Sequence, residues 1–183
     1  MRKVNAVEFV SLDGVMEKPE EWAFGYSNEE MEETSASGMA SSDALLLGRM
    51  TYEQLAAFWP NQPSGEPMVD YINGVPKYVA SATLEEAGWN NSSIIREDVA
   101  EKIAQLKRQR GKDITILGSG GLVRSLLRDG LLDELRLMVH PVILGGGKRL
   151  FEDGDVHKAL ELTGSRTFGT GVVYLTYRPT DEG

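Results

Sequence analysis

At 183 residues and 20.1 kDa the chain has the length of one domain with elaborated loops, taken as residues 1–183, since a domain runs to roughly 150 residues. A content of 41% hydrophobic and 26% charged residues suits a globular core and excludes a disordered chain, and a net charge of −9 opposes a nucleic-acid backbone or an anionic membrane as main partner. The absence of cysteine excludes disulfides, thiolate zinc, iron–sulfur ligation and a cysteine nucleophile, and two histidines, His140 and His157, leave little for metal or triad chemistry.

The N-terminus starts basic at Arg2-Lys3 but reaches Asn5 and Glu8 at once, without the apolar core of a signal peptide. No run approaches the ~18 apolar residues of a membrane span, so a soluble, cytoplasmic protein is expected. Val4 to Leu12, carrying Val7, Phe9 and Val10, suits a central strand ended by Asp13-Gly14. Residues 17 to 42 are polar and acidic, and Asn28 with the carboxylates up to Glu33 suits a helix start. Ala44 to Leu47 reads as a buried strand stopped by Gly48. Thr51-Tyr52-Glu53-Gln54 fits a capping box, so a helix is expected from Thr51 towards Trp59-Pro60, with Gly48-Arg49-Met50 as the turn before it.

Residues 60 to 76, with four prolines, read as a loop-rich excursion. Tyr78 to Ala80 is the next strand. Asp98 opens a helix with Val99, Ile103 and Leu106 on one face and Gly111 as its stop, followed by a strand at Ile114 to Leu117 and a sharp turn at Gly118 to Gly121. Leu122, Val123, Leu126 and Leu127 then recur at helical spacing as far as Gly130. From Leu135 the pattern turns to strands, with Leu137, Val139, Val142 and Ile143 straddling Pro141 and a terminal hairpin at Ala159 to Ser165 and Val172 to Tyr177. Alternating strands and helices followed by paired strands define an α/β class with a mixed, mostly parallel sheet.

Two segments share one design. Leu47-Gly48-Arg49-Met50-Thr51 and Leu117-Gly118-Ser119-Gly120-Gly121-Leu122 each run from buried strand through glycine to helix start. Ligands gather beyond the carboxyl ends of strands in open α/β sheets, where helix N-termini offer unpaired N–H groups to anions. The second turn is neither a Walker loop nor G-x-G-x-x-G, because Val123 holds the last glycine position, and a purely structural βα turn explains it equally well. Arg49 favours a ligand: a cation at a helix start opposes the dipole, and an Arg–phosphate contact contributes about 1.5–3 kcal/mol, enough to separate NADP from NAD. His140 reads as a satisfied core or interface histidine. Glu29, Glu30, Glu32 and Glu33 read as a solvated face from which one carboxylate could serve as proton donor. Asp13 suits either a plain turn or a substrate contact, and Trp22, Phe24, Phe58 and Trp59 suit a ring-lined pocket or core.

Taken in order, Ser11-Leu12-Asp13-Gly14, Leu46-Leu47-Gly48-Arg49-Met50-Thr51-Tyr52-Glu53, Gly118-Ser119-Gly120-Gly121, Gly130-Leu131-Leu132-Asp133-Glu134-Leu135 and the run from His140-Pro141 to Leu150-Phe151 resemble the dihydrofolate-reductase-like superfamily. Within it the chain is most similar to the reductase domain of the bifunctional riboflavin-synthesis deaminase-reductase. The resemblance implies a mixed, mostly parallel sheet flanked by helices, NADPH as hydride donor and a homodimer. By position it places Gly48, Arg49, Met50 and Thr51 at the cofactor phosphates, Ser81 at the adenosine end, and Gly118, Ser119, Gly120, Gly121, Leu122 and Val123 around the pyrophosphate. Ser11, Asp13 and Val15 border nicotinamide and substrate, with Trp22, Phe24 and Trp59 as substrate-side rings. The carboxylate that protonates the pterin in true dihydrofolate reductases falls near Met31 or Glu32, so Asp13 is expected to orient substrate and Glu32 to supply the proton. The deaminase half is absent, and Val15 stands where many riboflavin-pathway reductases carry a basic residue. The expected activity is reduction of a small heterocycle, with an aminouracil ribosyl phosphate ahead of dihydrofolate. The rival is a catalytically inactive NADP-binding module.

Overall fold

The computed structural model describes residues 1–181. β1 (Val4–Val10) is central and pairs in parallel with β5 (Asp113–Leu117) on one side and β6 (Glu134–Val139) on the other. Elements cover both of its faces, so its inward positions are apolar, and Val4 and Ala6 expose no surface. From β1 the chain skips one place to β2 (Ser42–Gly48), steps outward through β3 (Lys77–Ala80) and β4 (Ser92–Ile95), then returns to insert β5 between β2 and β1. β8 (Val173–Pro179) lies antiparallel on β6, and β7 (Leu160–Thr167) closes that edge, giving the order β4-β3-β2-β5-β1-β6-β8-β7. This is the mixed, mostly parallel sheet with a C-terminal hairpin that the sequence pattern predicts.

Successive strand residues face opposite sides, and the helices divide accordingly. Leu45 and Leu47 pack with Tyr52 of α3 (Arg49–Phe58) and Ile72 of α4 (Pro67–Gly74). Ala44 and Leu46 pack with Ile103 and Leu106 of α5 (Val99–Arg108) and with Val123, Leu126 and Leu127 of α6 (Gly120–Arg128). The short helix α1 (Pro19–Trp22), a 3-10 turn at Phe24–Tyr26 and α2 (Glu29–Ser41) follow β1; Met31 of α2 packs with Met138, Phe168 and Phe9. Asn28 caps α2 as its residue type predicts, its Oδ1 accepting from the Met31 N–H at 3.1 Å.

Three expectations need correction. α3 begins at Arg49, with Gly48 as its N-cap, so Thr51 sits inside the first turn and forms no capping box. The reason is that β2 keeps its ladder to β3 through Gly48, paired with Ala80, and passes straight into the helix. The proline-rich stretch 60–76 holds α4, because Pro67 occupies the first turn, where a missing N–H costs nothing, and Val69 and Ile72 supply a buried face. β6 ends at Val139, so Val142 and Ile143 are not strand residues, and Ile143 is exposed.

Lys77, fully buried at the start of β3, ties the outer half of the sheet together. Its Nζ donates to the carbonyls of Asn73 (3.1 Å), Val75 (2.9 Å) and Asn90 (3.0 Å) and lies 4.4 Å from the centre of the Trp89 ring. Lys77→Met is expected to leave these carbonyls without their donor and to lower unfolding free energy by about 2–4 kcal/mol, read as a denaturant midpoint shift at constant slope. A shift under about 0.5 kcal/mol, the size of an ordinary surface change, would show that the ammonium is no clamp.

Candidate functional site

Because β2 and β5 are neighbours, their two terminal turns lie side by side at the carboxyl edge of the sheet. The Gly48 N–H donates to Ser119 Oγ at 2.9 Å, joining positions 71 residues apart. Ser119 (φ 60°) spends its hydroxyl on this bridge and does not cap its own helix; Gly48 has no side chain to cap α3. Both helices therefore begin without side-chain capping; in α6 the Leu122 N–H turns back to the Ser119 carbonyl at 2.9 Å, so the donors without an intrahelical acceptor are the earliest amides of each helix. Gly118, at φ +59°, approaches α3 so closely that a Cβ there would stand 3.2 Å from Thr51 Oγ1. The result is a pair of adjacent helix starts, an arrangement of backbone donors that suits an anion.

Around these helix starts, Arg49 is about half exposed and lies 3.7 Å from Glu53, a surface ion pair of small energy that leaves its guanidinium available to a stronger anion. Met50 is exposed, Thr51 and Leu122 half-buried, Gly120 and Val123 buried, and Gly121 open to solvent. Ser81 follows β3, its Oγ accepting from the Leu84 N–H at 3.0 Å. A separate open cleft, lined by Pro60, Asn73, Gly74 and Trp89, holds no residue of either turn.

At the end of β1, Ser11 Oγ donates to Asp13 Oδ1 at 2.6 Å and accepts from the Val15 N–H at 2.9 Å. Asp13 in turn accepts from the N–H groups of Leu144 (3.1 Å) and Gly145 (2.9 Å), pinning the glycine loop against the strand end. The Ser11 hydroxyl first, then these two amides, hold the Asp13 carboxyl down at about 2. Such a group is an anionic anchor, suited to orienting and unsuited to giving a proton. Val15 is buried, and Gly147 (φ +113°) has room for no Cβ beside it, since one would stand 2.9 Å from Val15 Cγ1.

The rings expected on the substrate side part company. Trp22 stands edge-on to the His140 ring with centroids 5.3 Å apart, and Phe24 is 64% exposed beside it. Trp59 does not join them: it packs on Phe58 and on the α3–α4 cluster with Tyr52 and Trp89. Glu32 is exposed on the first turn of α2, while Met31 is the buried residue there. Glu30 is engaged elsewhere, with the Gly169 N–H and then Arg166 drawing its pKa down.

Two buried polar side chains were missed by the sequence reading. Glu8 has an Oε1 with no hydrogen-bond partner among the described residues, and burial pushes its carboxyl well above the ordinary range. It lies across from Leu137 and one place beyond the Val7–Leu117 pair, level with Gly118. An acid inside an apolar strand was the available signal. His140, read as satisfied, is only half so: Nδ1 lies 2.8 Å from the Met138 carbonyl and Nε2 has no partner among the described residues. Among those residues no carboxylate–histidine group could hold a metal, and no helix is long and apolar enough to cross a membrane.

A switch-point sheet with two glycine turns at its carboxyl edge and an antiparallel terminal hairpin defines the dihydrofolate-reductase-like class. The chain belongs to the RibD C-terminal domain family, matched over residues 2–174. It is 33% identical over 138 residues to the uncharacterized protein YyaP of Bacillus subtilis, covering 74% of this chain and 73% of that one. In fold it is similar to the deaminase/5-amino-6-(5-phosphoribosylamino)uracil reductase of Thermotoga maritima (TM-score 0.65, 16% identity, 98% of this chain and 57% of that one). It is also similar to dihydrofolate reductase from Enterococcus faecalis complexed with NADP(H) (TM-score 0.63, 17% identity, 98% and 97% covered).

The Asp13 anchor has a pH consequence. With its folded pKa near 2, below the ordinary 3.8, its contribution to stability is present above about pH 4 and is lost as pH falls through 2. In Asp13→Asn the stability change between pH 4 and 2 should be shallower than in the wild type, and amide exchange at Leu144 and Gly145 faster at neutral pH. Unaltered exchange at those two amides would contradict the anchor.

Proposed function

We propose that this chain is an NADPH-dependent reductase of a small heterocyclic substrate, with a riboflavin-pathway aminouracil ribosyl phosphate as the leading candidate. The observation that carries the reading is the Gly48–Ser119 bridge, which sets two uncapped helix starts beside each other, with Gly118 packed so closely on Thr51 that a Cβ would stand 3.2 Å from its Oγ1. That arrangement fits a pyrophosphate. Gly48, Met50 and Thr51 on one side and Gly118 to Val123 on the other would hold it, Arg49 would take the adenosine phosphate, and Ser81 would border the adenosine end. Bound there, NADPH would supply a hydride; the protein's part is to align the acceptor with it and exclude water.

Asp13, with Ser11 and Val15, fixes the loop bordering the acceptor, and Trp22 and Phe24 cover it. Trp59, in its separate cluster, has no part in this reading. Glu32 would supply the proton from the solvent side. A homodimer and a cytoplasmic location belong to the same reading. One observation favours the inactive NADP-binding alternative: at the first turn of α2 the buried position holds Met31 and no acid.

Equilibrium titration of wild type and Arg49→Ala with NADPH and NADH tests the assignment. Wild type should prefer NADPH, and the substitution should weaken NADPH binding by roughly ten- to a hundredfold, the loss of about 1.5–3 kcal/mol, with little change for NADH. An unchanged NADPH preference would remove Arg49 from the site. NADPH binding without oxidation in the presence of the aminouracil ribosyl phosphate or dihydrofolate would support the inactive alternative.

A further inference from the structure

The geometry points to His140 as the hydrogen-bond acceptor that selects the ring bound at the mouth of β1, an assignment that rests on the heterocycle-reductase reading and deepens it. His140 follows the last residue of β6, and its backbone N–H donates to the Val10 carbonyl at 2.8 Å, which fixes it beside the end of β1. The side chain is wholly buried. Its Nδ1 lies 2.8 Å from the Met138 carbonyl, and a carbonyl can only accept, so Nδ1 carries the proton. In the neutral ring Nε2 then presents a lone pair, and that lone pair meets no donor among the described residues. Burial lowers the pKa of the ring and keeps it in this neutral form.

Three aromatic rings surround it: Phe9 at 5.5 Å, Trp22 at 5.3 Å and Tyr26 at 5.7 Å between centroids. Of these only Tyr26 carries a hydroxyl. An orphaned acceptor inside an aromatic box recognises a flat ring bearing an N–H or amino group and rejects an isostere without a donor, because the lone pair is then left unsatisfied. The cover over it is slight. Trp22 and Tyr26 are half-buried, belong to the four-residue α1 and the 3-10 turn, and flank the exposed Phe24; the Trp22 indole donates to the Glu17 carbonyl at 2.9 Å. Displacing these two rings exposes Nε2.

The test uses the full chain and two probes of one shape, 2,4-diaminopyrimidine and 2,4-dimethylpyrimidine, at a pH where the diamine is neutral. The wild type should bind the diamine about tenfold more tightly, the worth of roughly one hydrogen bond. In His140→Phe the ratio should fall to about one. Since the chain has only two histidines, 15N-histidine spectra of the wild type give a second readout that does not depend on the variant folding: the Nε2 resonance of His140 should move with the diamine while Nδ1 stays protonated. Equal affinities in the wild type, a preference surviving in His140→Phe, an unmoved Nε2 resonance at saturation, or failure of both probes to bind would each overturn the inference. NADPH titrated into the same wild-type samples reports separately on the reductase reading, which stands if the cofactor binds and the pyrimidine result fails.

Discussion

The insertion of β5 between β2 and β1 is the constraint on which the site depends. Parallel neighbours end at the same edge, so placing these two strands in contact brings Gly48 and Ser119 within hydrogen-bond distance, although 71 residues separate them. Moving either strand by one place in the sheet would part the turns by a strand spacing of about 4.8 Å, and neither turn alone offers more than a common helix start. The rest of the fold maintains that adjacency. Leu45, Leu46 and Leu47, all without exposed surface, key β2 into clusters on both faces, so the register of the first turn follows from core packing.

The same edge carries a second device with a different logic. Asp13 holds the Leu144–Gly145 segment by two amide hydrogen bonds, and Val15 occupies the space beside Gly147. A carboxylate so bound is stabilised as an anion, which explains why an acid at this strand end need not be an acid catalyst. The glycine loop serves to bring its backbone N–H groups to Asp13, and the residues that resemble a substrate strip work first as a joint between two loops.

The parts of this arrangement that local chemistry encodes were legible in the sequence. The strand–glycine–helix passages at Gly48 and Gly118, the Asn28 cap and the stop at Gly130 are properties of a few consecutive residues, and each lies where its pattern predicts. What was not legible depends on partners distant in the chain. Thr51 has the residue spacing of a capping box, but the ladder to β3 through Ala80 carries β2 up to Arg49 and takes the cap position from it. Residues 60–76 read as loop because their prolines dominate the local pattern, yet the cover that Val69 and Ile72 give the sheet decides for α4. Trp59 read as a ring near the substrate because aromatic type is visible and address is not; α3 carries it away from the carboxyl edge to the Tyr52–Trp89 cluster.

Glu8 and His140 show the limit of sequence pattern from the other direction. Both stand near the carboxyl end of β1, on opposite faces of the sheet: Glu8 shares the parity of Ala6 and Val10 on the α5–α6 side, and His140 meets Phe9 on the α2 side. Each is buried with a polar atom unsatisfied, and burial drives each toward its uncharged form, the acid by raising its pKa and the base by lowering it. At the foot of the strand Asn5 donates its amide to Asp113, and its Oδ1 likewise meets no partner among the described residues. Of these three buried side chains the two ionisable ones stand at the carboxyl end of β1, and keeping them there carries a cost that apolar residues would not. Buried ionisable groups without partners at a switch-point edge are the pattern expected where a binding requirement has overridden stability.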